Sequence, residues 1–458
     1  MPDITATATA PTPALPVHVT LHNTPMGIWQ SFQAARNNLL DIIPGVAVRQ
    51  PMISGKTGVR WHMVMDPGAI RRMLLERLGD YPKSVATKNL LRPAIGESLF
   101  VAEGAHWRWQ RQAAAPVFSH RNVANLGPIM TRAAEAAAAR IGAAGPRAVN
   151  MLDEMVTTTF DVISDVTLSG GGAFDRGAVH RAIDAYIDAA ARVSLLDVLG
   201  FPDWVPRPGR VFTGSALREM KAVADRAIDA RARTGHDGVP DLLDLLLAGE
   251  DPETKRRMNT PELRDNLLTF IVAGHETTAL ALAWSLYLCA FDQSVQDRAR
   301  AEAQAVLRGR AAGAGDVARL PLVRAVVDEA LRLYPPAGLV SRTAQAADTL
   351  CGREIRPGDT VMIPIYALHR NRLLWDDPDA FRPDRWLTGK PERYAYLPFG
   401  DGPRICIGAS FAIQEAVIVL ATLLSRFRFT RVAGRDPKPV MILTLRPEGG
   451  VWLEAEKV

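Results

Sequence analysis

Of the three cysteines, Cys289, Cys351 and Cys406, one stands where a thiolate would be stabilised. Residues 399–408 read FGDGPRICIG. Gly400, Asp401, Gly402 and Pro403 force a tight, irregular turn. Cys406 follows it, and Gly408 leads into an apolar helical stretch from Ala409. A thiol there meets backbone N–H groups and the positive end of a helix dipole. Both favour thiolate, the form that ligates metal. A lone cysteine is more often a small buried hydrophobe. That plain reading holds for Cys289, in an apolar helix, and for Cys351, in a turn. A second grouping is AGHETT at 273–278. Ala273 and Thr277 are four apart and share a helix face. Thr277 brings a hydroxyl to an otherwise apolar stretch, where such a group often bonds back to the i−4 carbonyl. Glu276 has no Lys or Arg near it in sequence, which weakly favours a functional acid. Glu329 and Arg332, three apart, can pair on one helix face.

The elements that must carry these groups are mostly helical. Thr260-Pro261-Glu262 reads as the cap of a helix running to about Ala290, roughly 45 Å long at 1.5 Å per residue. Residues 266–290 are long and apolar enough to span a bilayer. The polar group His275, Glu276, Thr277 and Thr278 at their centre argues instead for the core helix of a soluble protein, and no second such segment is expected. Helices are also expected at 66–78 (Asp66 as N-cap, Pro67 at N1), 130–141, 150–168, 180–199, 322–333 and 409–427. Strand patterns are fewer: 59–65, a hairpin over 350–363, and a late pair at 440–445 and 451–454. Clusters with Gly or Pro at 141–147, 169–173, 234–240 and 308–316 read as loops. The expected fold class is mainly α with a minor β-sheet region.

At 458 residues and 48% hydrophobic, the chain can bury a large core. Lys and Arg number 54 against 49 acidic residues, a net charge of +5, with the basic residues spread along the chain. This fits a solvated mixed-charge surface better than nucleic-acid binding. The odd, low cysteine count is no disulfide framework. The opening residues form a Thr/Ala/Pro-rich stretch without signal-peptide features. Residues 1–29 are expected to be a disordered tail and 30–458 a single domain.

Residues 399–408 match FxxGxRxCxG, and the chain resembles the cytochrome P-450 superfamily over about residues 30–458. The resemblance implies the cytochrome P-450 fold, with haem b held between the long central helix and the Cys-ligand loop. Cys406 would be the axial ligand of the haem iron, its thiolate pushing electron density onto iron. Phe399 would pack beside the sulfur, and Gly402 and Gly408 would let the flat macrocycle approach the backbone. Glu329 and Arg332 resemble the family's ExxR pair, and Arg385 in FRPDRW its third partner. The three would form a structural lock behind the loop. On the long helix, Ala273 would leave room for haem and substrate, Thr277 would steady activated dioxygen, and Glu276 would relay protons. Trp107 and Arg111 resemble WxxxR and would serve the haem propionates, with Arg404 as a third donor and Arg342 as a fourth.

By the same resemblance the activity is a monooxygenase one: one oxygen atom of O2 enters a small, mostly apolar organic substrate by hydroxylation or epoxidation. No flavin, nicotinamide or iron–sulfur pattern is visible, and Gly170-Gly-Gly172 is no dinucleotide fingerprint. NAD(P)H electrons are therefore expected from a separate ferredoxin or flavodoxin and its reductase, docking on a basic face with Arg108, Arg111 and Lys390. No nucleic acid, no membrane span, a cytoplasmic location and a monomer complete the expectation. The alternatives are a haem-thiolate peroxygenase or isomerase, whose relatives often lose the acid–alcohol pair, and a non-enzymatic haem-based sensor, which gives that pair no purpose. Substrate would be framed by 86–100, 182–212, Ala273, 337–340 and 441–444. Lys83, Lys88 and Arg92 near the entrance could favour a carboxylate on the substrate, although exposed loop charges are usually just solvated.

Overall fold

The computed structural model describes residues 15–24, 26–168, 214–235, 240–251 and 253–458. The helix expected at 180–199, the glycine cluster at 169–173 and the substrate-framing stretch at 182–212 lie outside the described residues. Eight helices carry the argument: α1 (Val85–Ile95), α2 (Gly104–Ala114), α3 (Gly127–Ala144), α4 (Met151–Leu168), α5 (Thr260–Phe291), α6 (Gln293–Leu307), α7 (Pro321–Leu333) and α8 (Ala409–Arg426). Further helices, helical turns and small sheets make up the remaining elements among the described residues.

The 32-residue α5 is the axis of the molecule. Its N-cap is Asn259, one residue earlier than expected. The Asn259 side chain accepts the Glu262 N–H at 3.0 Å and the Glu262 carboxylate accepts the Asn259 N–H at 3.0 Å, a reciprocal capping box with Pro261 in the first turn. A helix apolar on every side must be covered on every side. Here α4, α7, α8 and the helix Gly214–Thr234 supply that cover. Trp284 on α5 stacks on Tyr334 at 3.9 Å, both fully buried. Against the expectation of a single long apolar helix, α8 also has the length and hydropathy to cross a membrane, and most of both helices lies inside the protein. Its apolarity reflects packing against α3, α6, α7 and α5.

β1 (Met52–Thr57) and β2 (Val59–Val64) form a hairpin on Gly58, at φ +76°. The sheet continues with β7 (Thr360–Ile363), parallel to β2, and then antiparallel β4 (Val340–Thr343). Two sequence expectations fail here. The hairpin over 350–363 is shorter: β5 (Asp348–Leu350) and β6 (Arg353–Ile355) turn at Cys351-Gly352, while β7 belongs to the other sheet. The late strands do not pair with each other. β9 (Lys438–Met441) pairs with β10 (Leu445–Glu448), and β11 (Trp452–Lys457) pairs with β8 (Phe427–Arg431) and β3 (Val149–Asn150). Local alternation shows a strand but not its partner. The helix opened by Asp66, whose carboxylate does accept the Ala69 N–H at 2.7 Å, lasts only from Pro67 to Arg71 before a π turn and a 3-10 turn take over.

Part of the expected tail is described. Val17 N–H donates to the Tyr287 hydroxyl at 3.1 Å, Val17 C=O accepts from Tyr334 at 2.6 Å, and Val19 N–H donates to Tyr366 at 3.0 Å. Residues 15–23 thus lie along a row of buried tyrosines before the helix Ile28–Asn37 begins.

Candidate functional site

The cysteine loop is closed by its own backbone. Cys406 N–H donates to Phe399 C=O at 2.9 Å and Ile405 N–H to Gly402 C=O at 3.0 Å. Gly400 and Gly402 take φ of +69° and +73°, where side chains are disfavoured. A Cβ on Gly402 would also lie 2.4 Å from Leu74 C=O. Gly402 therefore also admits the close approach of another chain segment. A Cβ on Gly408 would meet only Phe118, at 3.9 Å. The Cys406 side chain is open to solvent, yet enough protein surrounds it that burial pushes the thiol up. The Gly408 N–H and the Arg111 guanidinium pull it back down. The donor and the charge expected of a thiolate site are both present, but desolvation outweighs them in the protein alone. Cys289 and Cys351 have no such N–H donor and are pushed up to about 12 and about 11 by burial.

Behind the loop, Glu329 and Arg332 on α7 are completely buried. Arg332 donates to both Glu329 oxygens at 2.8 Å. Arg385 Nε adds a bond at 3.1 Å, Arg382 N–H one at 3.0 Å and Trp386 Nε1 one at 2.9 Å. The remaining Arg332 donors reach the carbonyls of His369, Pro378 and Ala380 at 2.6–3.0 Å. Burial alone would raise the Glu329 carboxyl; the Arg332 charge and hydrogen bonds win and hold it below the ordinary range. His369, which the sequence reading passed over, completes the network. Its Nδ1 bonds Arg332 C=O at 3.1 Å, and its Nε2 takes the Leu397 N–H at 2.8 Å. Leu397 is two residues before Phe399, so α7 is tied to the start of the cysteine loop.

A different cluster lies at the N-terminal end of α2. Trp107 and Arg111 stand four apart on this helix, but Arg111 spends a donor on Ile405 C=O at 2.9 Å, bracing the cysteine loop. Arg404 lies 4.4 Å over the Trp107 ring, donates to Ala102 C=O at 3.0 Å and pairs with Glu103. Arg342, on β4, is 5% exposed, and its Nε and Nη1 have no hydrogen-bond partner. Burial, then the neighbouring Arg404, brings it down to about 10. Lys83 faces Arg342 across an isolated β-bridge. Its ammonium bonds Phe100 C=O and sits 3.8 Å over the Phe100 ring. Burial first, then Arg404 and Arg342, lowers it well below the usual lysine range. Lys88 is 3.7 Å from Glu103. Four cations thus gather about one carboxylate. Lys83, weighed from sequence as a solvated loop charge or a carboxylate partner, belongs to this group through the β-bridge to Arg342.

On α5 the pattern of burial marks a window. Ala273 is exposed and Val272, Gly274 and Thr277 are half-exposed in the middle of a helix that is mostly buried. Phe118 lies near both this stretch of α5 and the cysteine loop: its ring is 5.1 Å from Phe270, three residues before Ala273, and a Cβ on Gly408 would lie 3.9 Å from it. The Thr277 hydroxyl donates back to Ala273 C=O at 2.8 Å. Glu276 is 5% exposed and is not the unpaired acid its local sequence suggested. Arg446 Nε and Thr444 Oγ1, both from the β9–β10 region, each donate to its Oε1 at 2.6 Å.

The family profile described as Cytochrome P-450 matches residues 52–454. The chain belongs to the cytochrome P-450 family. Cyclooctatin synthase of Streptomyces melanosporofaciens is similar at 33% identity, over 80% of this chain and 81% of the relative. Cyclooctat-9-en-7-ol 5-monooxygenase of the same organism is 32% identical over 82% and 81%. Cytokinin hydroxylase of Arabidopsis thaliana is 32% identical over 78% and 71%. Among solved structures, the cytochrome P450DA heme domain superposes with a TM-score of 0.79 at 27% identity, covering 89% of this chain and 90% of that one. The protein is accordingly a cytochrome P-450 oxidoreductase with the P-450 fold, and haem is the cofactor the family implies.

Proposed function

We propose that this cytochrome P-450 is a haem-thiolate monooxygenase that places one oxygen atom of O2 into a C–H or C=C bond of a small, mostly apolar molecule. NAD(P)H electrons reach it through a separate ferredoxin or flavodoxin and its reductase. The observation that carries this reading is the pairing, across Phe118, of the Cys406 loop with the window in α5 that presents Ala273, Thr277 and the adjacent acid Glu276. The similarity to relatives named as a monooxygenase and a hydroxylase supports it.

The residues present fit a haem. A buried guanidinium with two unused donors is costly unless an anion meets it. The surplus positive charge of Lys83, Arg342 and Arg404 suits the two carboxylates of the group's propionates. Trp107 would join them, Cys406 would ligate the iron, Phe399 would lie beside the sulfur, and Ala273 and Gly408 would leave room for the ring. When bound, haem supplies the reductive activation of O2. The chain supplies the rest. Thr277 turns its hydroxyl from the Ala273 carbonyl toward the window, and Glu276 delivers protons to that side. The Gly408 N–H and Arg111 stabilise the thiolate form of Cys406, and Glu329, Arg332 and Arg385 hold the loop in place.

The test is the carbon-monoxide difference spectrum of the dithionite-reduced protein. A strongly red-shifted Soret band that vanishes in Cys406→Ala is expected. A band at the position of histidine-ligated haem, or one unchanged by the substitution, overturns the ligand assignment.

A further inference from the structure

Glu276 is anchored from outside its own helix. Its Oε1 is held by two donors on the strand region that crosses α5, Arg446 Nε and Thr444 Oγ1, each at 2.6 Å. We infer that Arg446 and Thr444 are positioning residues for Glu276, clamping one carboxylate oxygen so that the other, Oε2, is the one that gives and takes protons. This rests on the reading of Glu276 as the proton-delivering acid. The clamp is rigidly mounted. Leu445, between the two donors, is fully buried, donates its N–H to Pro336 C=O at 2.9 Å and accepts the Trp284 indole N–H at 3.3 Å. Trp284 is eight residues beyond Glu276 on α5, close to the same face. One helix therefore grips the strand at Trp284 and is gripped by it at Glu276. Side-chain hydrogen bonding that locks a reactive group's rotamer is what places a proton within reach reproducibly. Arg446 also links the site to the outside: its side chain is 39% exposed, against 7% for that of Glu276. Thr444, whose hydroxyl can both donate and accept, lies beside it. Arg446 uses only Nε on this oxygen, so a lysine ammonium could take the same place, whereas a forked contact would not tolerate that exchange.

The holoenzyme tests this with a surrogate ferredoxin and reductase, reading NADPH-driven O2 consumption without added substrate, in H2O and D2O. Losing a hydrogen bond to a charged group predicts a slowing of roughly tenfold or more in Arg446→Met. Its D2O effect should be larger than in the parent. Arg446→Lys should recover most of the rate, and Thr444→Val should fall between. A second readout needs no turnover: urea midpoints of Arg446→Met, Glu276→Gln and the double variant should be non-additive. Additive midpoints with an unchanged D2O effect in Arg446→Met and Thr444→Val overturn the clamp. Non-additive midpoints with no change of rate or D2O effect in Glu276→Gln instead overturn the proton reading of Glu276 and leave the contact standing. If Arg446→Met fails to fold, Arg446→Lys and Thr444→Val decide the question by the same measures.

Discussion

Two clusters of buried charge flank the cysteine loop, built from the same kinds of residue and organised in opposite ways. Around Glu329, each of two carboxylate oxygens is used at least twice, and the Arg332 donors end on carbonyls. Around Arg342, two guanidinium nitrogens, Nε and Nη1, have no partner, and cations outnumber the one carboxylate. The first network is complete within the chain and serves the chain. The second is complete only with an anion from outside. Burial alone does not distinguish them; hydrogen-bond satisfaction does.

The contrast is broken most severely by Glu329→Gln, which leaves Arg332 and Arg385 buried without their counter-charge. A loss of about 3–5 kcal/mol is expected, read by urea unfolding and by the haem content of the purified protein. Arg342→Met should act the other way on the haem-free chain. Removing an unpaired buried cation should leave it as stable or stabilise it by up to about 2 kcal/mol. The same variant should lose haem faster to a scavenger protein. A destabilised haem-free chain would mean that Arg342 is already satisfied. A pH prediction sharpens the closed side. Burial, then Arg332, brings His369 from 6.5 down to about 3, so it is neutral in the fold. The unfolded chain takes up a proton below about 6.5 and the folded chain does not. Stability from this site is therefore full above that pH and falls as pH drops toward 3, by up to about 1.4 kcal/mol per unit. Unfolding midpoints from pH 7 to pH 5 in the parent and in His369→Gln would show it, the variant losing part of that acid sensitivity. The smallest structural effect is expected at Thr277→Ala, within about 0.5 kcal/mol, since only a back-bond to Ala273 is lost. Its signature is functional: more peroxide formed per NADPH consumed.

Much of the site was legible locally. The glycine–proline turn before Cys406, the start of α5 and the Glu329–Arg332 pair follow from rules that act over a few residues. Strand partners were not, because alternation says that a segment is extended and nothing about which edge it meets. That is why β7 left its expected hairpin and β11 left its expected partner. Glu276 was misread for the same reason: its counter-charge lies 170 residues away. Lys83 was misread because a lysine in a loop is usually solvated, and nothing near it indicates that a strand carrying Arg342 will cover it.

By itself, the sequence determined where the tight glycine–proline turn before Cys406 sits, which stretch must be the buried central helix, and which polar groups interrupt it. Those properties depend on backbone conformation, capping and periodicity, all of short range. The tertiary structure decided which charges are answered. It set Arg446 on Glu276, His369 between α7 and the cysteine loop, and Lys83 beside an unpaired Arg342. Such pairings depend on desolvation and on the meeting of distant segments, and neither is written in the neighbourhood of a residue along the chain.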